Sequence, residues 1–249
     1  ARHVEVQILG DSFGEIYHLY ERDCSVQRRN QKVVERAPAP YLTEEQRSEI
    51  CSLGRKICAH VGYECAGTVE FLMDMDTEEF FFIEVNPRVQ VEHTVTEEVT
   101  GIDIVKAQIK IAAGKELSFK QEDIVLKGHS IEVRINAEDP KQGFRPNPGT
   151  INLLHVPSGN GIRFDSFIYS GYSIPPFYDS MLGKVIVHGE NRVDAINKMK
   201  ATLEELMIGG VTTNQEFCYM ILNNSEYVKG KFDTGFIGMK IDSLLEYDN

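Results

Sequence analysis

The chain has 249 residues, 42% of them apolar, enough for one large domain or two small ones with a sizeable core. Its net charge of −12 argues against a general nucleic-acid binder or a protein that adheres to acidic membranes. No apolar run is long enough for a membrane span or a signal peptide, and Cys24, Cys51, Cys58, Cys65 and Cys218 form no CxxC pair, which reads as reduced, structural thiols of a cytoplasmic protein.

Residues 2–9 alternate, with His3, Glu5 and Gln7 on one face and Val4, Val6 and Ile8 on the other, as in a half-buried strand. A Gly10–Gly14 turn returns the chain as a second strand over 16–20, and a polar strand is expected over 24–34. That stretch is basic, with Arg22, Arg28, Arg29, Lys32 and Arg36 against Glu21, Asp23 and Glu35. Ala37-Pro38-Ala39-Pro40 ends it. Thr43-Glu44-Glu45-Gln46 is a capping box, and Ile50, Leu53, Ile57 and Val61 recur at helical spacing until Gly62.

Residues 67–73 form a β-rich run, Asp74 to Glu79 a polar turn, and Phe80-Phe81-Phe82-Ile83 a continuous apolar run that reads as a buried strand. From Glu84 to Glu92 polar and apolar residues alternate, so an extended chain would put Glu84, Asn86, Arg88, Gln90 and Glu92 on one face. Folding the hairpin about Thr77 sets Glu70 opposite Glu84. Directly opposed carboxylates destabilise a sheet unless something cationic lies between them, and Mg²⁺ suits two carboxylates and a neutral oxygen such as that of Asn86.

A helix is expected over 102–113, with Asp103 at its start and Gly114 past its end. A polar connection over 114–128 precedes an alternating strand (Ile131, Val133 and Ile135 against Glu132, Arg134 and Asn136). Residues 140–180 are rich in Gly, Pro and aromatics, with short strands near 150–156 and 161–169. A strand over 181–188 and helices over 193–207 and 214–222 complete an α+β layout: an antiparallel sheet with flanking helices. No glycine-rich phosphate loop of either common pattern occurs, so part of any nucleotide site is expected outside this chain.

Paired carboxylates, a basic strand, and a further Arg and Glu nearby suit phosphoryl chemistry, which is mostly positioning and charge neutralisation. At this point five segments carry a resemblance. Arg2-His3-Val4-Glu5, Glu21 to Arg29, Gly67 to Phe71, Glu84 to His93 and Arg134 to Asp139 are together similar to biotin carboxylase, the ATP-grasp component of biotin-dependent carboxylases. The likeness runs from His3 to about Ile237. It implies the C-terminal half of an ATP-grasp domain over 1–125, the biotin carboxylase C-terminal subdomain over 126–240, and a tail over 241–249. The N-terminal domain and most or all of the ATP lid are absent, so the fragment alone is expected to be inactive.

The resemblance implies ATP-dependent carboxylation of biotin by bicarbonate, through carboxyphosphate. Glu70, Glu84 and Asn86 would hold Mg²⁺ or Mn²⁺ on the ATP phosphates. His3, Gln27 and Asn30 would lie along the nucleotide, with Leu72 near the adenine. Lys32, Arg88, Gln90 and the Val91 amide would hold bicarbonate, Glu92 would be the general base, and Arg134 would bind bicarbonate and stabilise the biotin enolate. Family members commonly carry His where this chain has Asn30. The implied partners are a biotin carboxyl carrier protein, carboxyltransferase subunits and a second copy in a homodimer, with no nucleic acid or membrane. The expected parent is the biotin carboxylase component of a bacterial acetyl-CoA carboxylase. Pyruvate and propionyl-CoA carboxylases, another carboxyphosphate-forming ATP-grasp ligase and a non-catalytic assembly domain stay open. His60, His155 and His188 read as solvated residues, and His93 as structural.

Overall fold

A computed structural model of the chain describes residues 1–246. The chain divides into two compact units, Ala1–Ser25 with Glu35–Ser130, and Val26–Val34 with the residues from Ile131 onward. Both are mixed α/β, built on mainly antiparallel strands with flanking helices.

In the first unit, β1 (Arg2–Gly10) pairs antiparallel with β2 (Ile16–Arg28) on one side and with β4 (Cys65–Met73) on the other. β4 pairs antiparallel with the edge strand β5 (Phe80–Asn86). The period of two places Val4, Val6, Ile8, Val69, Phe71 and Met73 on one face. Helix α1 (Glu44–His60) covers that face with Ile50, Cys51 and Cys58. The Thr43 box starts α1: its hydroxyl accepts from the Gln46 N–H, and the Gln46 side chain accepts from the Thr43 N–H. Gly54 lets the helix sit close, because a Cβ there would stand 3.1 Å from Val6 Cβ. Each buried Ile or Leu of this kind contributes roughly 1.5–3 kcal/mol. A second cluster (Leu9, Leu19, Ala66) packs on Ile104, Ala107 and Ile111 of α3 (Ile104–Ala112), whose N-terminus is capped by Asp103.

Three expectations for residues 24–92 are corrected. The polar strand over 24–34 is not one strand: β2 continues to Arg28, Arg29 and Asn30 turn with positive φ, and β3 (Gln31–Ala37) returns. The run Phe81, Phe82 and Ile83 is exposed (54%, 54% and 42%) rather than buried, because β5 is the sheet edge and the register slips between Glu70 and Phe71. The strand also stops at Asn86. Residues 87–92 turn without regular structure into helix α2 (His93–Thr100), which the β-branched run Thr94-Val95-Thr96 disguised.

In the second unit, β6 (His129–Asn136) lies beside β11 (Met181–Gly189), which pairs antiparallel with β10 (Ile162–Ser166). Two-residue strands β7 (Glu138–Asp139) and β8 (Arg145–Pro146) pair, as do β9 (Leu153–His155) and β12 (Met207–Gly209). Helix α4 (Arg192–Glu205) ends earlier than expected, at Glu205 with Leu206 already extended, since Met207–Gly209 is claimed by β9. α5 (Gln215–Asn223), α6 (Ser225–Lys229) and α7 (Phe236–Leu244) close a core around Ile131, Val133, Ile135, Val185, Met199 and Phe217. The residues expected as a tail begin inside α7, and 247–249 lie outside the described residues. No helix among the described residues is long and apolar enough to cross a membrane.

Candidate active site

The polar face of the first unit carries a row of charge across four strands. Arg22 is opposite Glu5, Glu5 is opposite Glu70, and Glu70 is opposite Glu84. Three carboxylates in line require neutralisation. Arg22 supplies it at one end, its Nε donating to Glu5 Oε1 at 2.6 Å, with both groups fully buried. His3 lies between the next two, 4.0 Å from Glu5 Oε2 and 2.8 Å from Glu70 Oε2. At the open end Glu84 is exposed, and the Asn86 amide donates to Glu70 at 3.0 Å and to Glu84 at 3.1 Å.

This donor set fits a hard divalent cation. The two carboxylates offer oxygen only, and the exposure of Glu84 leaves room for waters or phosphate oxygens, while the Asn86 amide turns its N–H groups to the carboxylates and its oxygen to Arg88. Glu70, Glu84 and Asn86, all expected as ligands, come together. Leu72, half-buried, is the cross-strand neighbour of His3.

The loop after Asn86 brings in the next group. Arg88 is exposed, its Nη1 donating to the Val89 carbonyl and its Nη2 reaching Asn86 Oδ1 at 3.4 Å. Gln90 is 5% exposed, and its amide is held at both ends: Nε2 donates to Glu70 Oε1 at 2.6 Å, and Oε1 accepts from Arg22 Nη2 at 3.1 Å. Val91 is half-buried. Glu92 is 2% exposed and occupies the N-cap position of α2 without capping it. His93 Nδ1 lies 2.7 Å from the Gln90 carbonyl oxygen, which ties the loop to the helix start.

Gln27, Asn30, Lys32 and Arg134 belong to the second unit. Gln27 is buried and lines a pocket of about 410 Å³ with Arg28, Arg29, Phe144 and Ile237. Asn30 sits at φ 63°, a left-handed position that Asn adopts more readily than most residues. Lys32 is half-buried on β3. Arg134 lies on β6, where the Asn214 amide fixes the backbone by donating to the Arg134 carbonyl at 2.9 Å and accepting from the Asn136 N–H at 2.8 Å.

Sequence reasoning missed Arg22 and Glu5 as parts of the site. Their signal was present, because Glu5 shares a strand face with His3, but cross-strand partners cannot be assigned without the register. Burial pulls the Arg22 guanidinium down, and the carboxylates of Glu5 and Glu92 outweigh it, so the group stays cationic.

Known proteins resemble this chain along nearly its whole length. Residues 1–120 match the family described as carbamoyl-phosphate synthase L chain, ATP binding domain, and residues 132–239 match the biotin carboxylase C-terminal domain. Biotin carboxylase of Haemophilus influenzae is 52% identical over 240 residues, covering 96% of this chain and 53% of that protein. A pyruvate carboxylase subunit of Methanothermobacter thermautotrophicus is 49% identical, covering 95% of this chain and 48% of that protein. The chain thus spans about half the length of the curated relatives it matches. Among solved structures, the biotin carboxylase domain dimer of Hydrogenobacter thermophilus 2-oxoglutarate carboxylase, in complex with MgADP, ADP and bicarbonate, superposes with a TM-score of 0.97 at 47% identity. It is matched over all of this chain and 54% of that one.

Proposed function

The chain belongs to the biotin carboxylase family, as a C-terminal portion, and from that membership we propose that it handles the metal and the carbonate in ATP-dependent carboxylation of biotin. The observation that carries the reading is the convergence of Glu84, Asn86, Gln90 and His3 on Glu70.

Glu70, Glu84 and Asn86 hold Mg²⁺ or Mn²⁺ in this reading, and the ion, when bound, neutralises charge on the ATP phosphates. His3, Leu72, Gln27 and Asn30 line the nucleotide. Arg88 binds bicarbonate, because a planar guanidinium fork matches a planar anion in a way an ammonium cannot. Lys32 adds a point charge, and the Val91 N–H and the second N–H of Gln90 add donors. Glu92 takes the bicarbonate proton, the freed oxygen attacks the γ-phosphorus, and ADP leaves as carboxyphosphate forms. The acid it deprotonates is much weaker than a carboxylic acid of pKa ~4, so the flanking cations must stabilise the dianion as it develops. Arg134 holds bicarbonate and then stabilises the enolate of biotin as the ring N–H is lost. Phosphate departs as the carboxyl group passes to nitrogen, and the departing phosphate takes up the ring N–H proton.

The expected partners are a biotinylated carrier domain, a carboxyltransferase and a second copy of the chain. Acetyl-CoA carboxylase is the parent we favour, and the likeness to a pyruvate carboxylase component keeps that assembly as the second reading. The match of residues 132–239 to the biotin carboxylase C-terminal domain favours this reading over a carbamoyl-phosphate-type ligase. The test is bicarbonate-dependent ATP hydrolysis stimulated by free biotin, in the full-length protein. Glu92→Gln and Arg88→Ala each lower that rate at least ~10²-fold. Variants that keep the wild-type rate refute the assigned roles.

A further inference from the structure

Arg22 is a fully buried guanidinium beside the carbonate-handling loop, and every N–H it owns is used. Nε donates to Glu5 at 2.6 Å. Nη1 donates to Gln7 Oε1 at 2.7 Å and to Thr96 Oγ1 at 3.0 Å. Nη2 donates to Thr68 Oγ1 at 3.2 Å and to Gln90 Oε1 at 3.1 Å. A guanidinium has five N–H donors in a rigid plane, so five acceptors leave it one orientation. Those acceptors come from β1, β4, α2 and the loop between β5 and α2.

That loop has no ladder of its own, since β5 ends at Asn86 and α2 starts at His93. Gln90 fastens it to the sheet from both ends of its amide, and Arg22 on β2 holds the oxygen end. The consequence for Gln90 is specific: with Oε1 turned to the cation, its NH₂ group must face the carboxylate, and it donates to Glu70 at 2.6 Å. A flipped amide would oppose donor to donor on one side and oxygen to oxygen on the other.

Resting on the reading of the site as a metal and bicarbonate centre, we propose that Arg22 is a positioning residue. It sets the Gln90 amide and the loop that carries Arg88, Val91 and Glu92, and so links the geometry of the bicarbonate pocket to the metal carboxylate Glu70. It touches neither substrate.

The test uses the full-length protein and steady-state kinetics with bicarbonate and MgATP varied separately. Arg22→Lys keeps a buried positive charge but has three donors on one nitrogen and cannot span the same acceptors. It raises KM for bicarbonate at least tenfold while KM for MgATP moves less than threefold, because Glu70 keeps Asn86 and His3. Arg22→Met with Glu5→Gln replaces the buried pair by neutral groups. This double variant recovers most of the thermal stability that Arg22→Met alone loses, yet keeps the raised bicarbonate KM. A residue that only held the fold together would show the reverse, with stability and KM recovering together. Thr68→Val with Thr96→Val removes two anchors with near-isosteric side chains and serves if the Arg22 variants do not fold; it raises bicarbonate KM about threefold. Folded variants whose bicarbonate KM stays within twofold of wild type overturn the proposal. A wild-type protein without bicarbonate-dependent ATP turnover overturns the functional reading instead, so the two failures are distinguishable.

Discussion

Glu70 stands directly opposite Glu84 on neighbouring antiparallel strands, and one amide, that of Asn86, bridges the two carboxylates at 3.0 and 3.1 Å. Glu70 has His3 and Gln90 as further partners, whereas Glu84 is exposed. The two residues therefore respond differently to neutralisation. Without divalent ions, Glu84→Gln relieves like-charge repulsion and leaves stability unchanged or raised by up to ~1 kcal/mol. With Mg²⁺, wild type melts at a higher temperature, and the variant loses most of that gain. Melting curves with and without Mg²⁺ read both effects; an undiminished Mg²⁺ shift in Glu84→Gln removes Glu84 from the ligand set.

The Asp23–Arg36 pair should dominate one part of the acid response. Burial pushes the Asp23 carboxyl up, but Arg36 at 2.7–2.8 Å and the Ser25 hydrogen bonds outweigh it and hold it below the ordinary 3.8. A carboxyl depressed on folding adds stability that is complete above its unfolded value and is lost as pH falls through its folded one. Asp23→Asn is expected to cost about 3–5 kcal/mol near neutrality, as for other broken buried pairs. Denaturant titrations across pH should show that deficit shrinking below pH ~4. A deficit independent of pH contradicts the account.

His18 sets a second pH window. Burial, aided by Arg55, lowers its imidazole to about 4 from 6.5. The unfolded chain then binds the proton between those values while the folded chain does not, so stability declines as pH drops from 6.5 towards 4 and levels off below. The contribution is on the order of 3 kcal/mol, at ~1.4 kcal/mol per pKa unit. His18→Gln removes that part of the slope. Parallel stability–pH curves for the two proteins would rule the mechanism out.

Thiol reactivity should single out Cys65. Cys24, Cys51, Cys58 and Cys218 are buried, and burial raises Cys51 and takes Cys58 to about 11. Cys65 is half-buried, with Gln108 Nε2 at 3.4 Å from its sulfur. One thiol per chain reacts promptly with a disulfide reagent in the folded protein, and Cys65→Ser abolishes that phase. Two or more prompt thiols would contradict the burial pattern.

Much of this was legible in the letters because it is local. The Thr43 box, the Asp103 cap, the alternation of β1 and the turn between β4 and β5 each lie within a dozen residues. Their hydrogen bonds follow from residue type and spacing alone. The pairing of Glu70 with Glu84 belongs here too, since a short hairpin limits the registers available. The alternation from Glu84 to Glu92 misled for a related reason: period two persists on paper after the strand has ended at Asn86.

What the sequence by itself determined was the set of chemical groups, the hairpins and helices that carry them, and the family pattern they compose. The tertiary structure alone decided that Phe81 and Phe82 lie at an exposed sheet edge, that residues 87–92 leave the sheet for a helix, and that Arg22 reaches Gln90 across 68 positions of chain. Edges, burial and long-range hydrogen bonds are properties of which strand lies next to which, and that choice is made by the packing of the whole unit rather than by any window of residues.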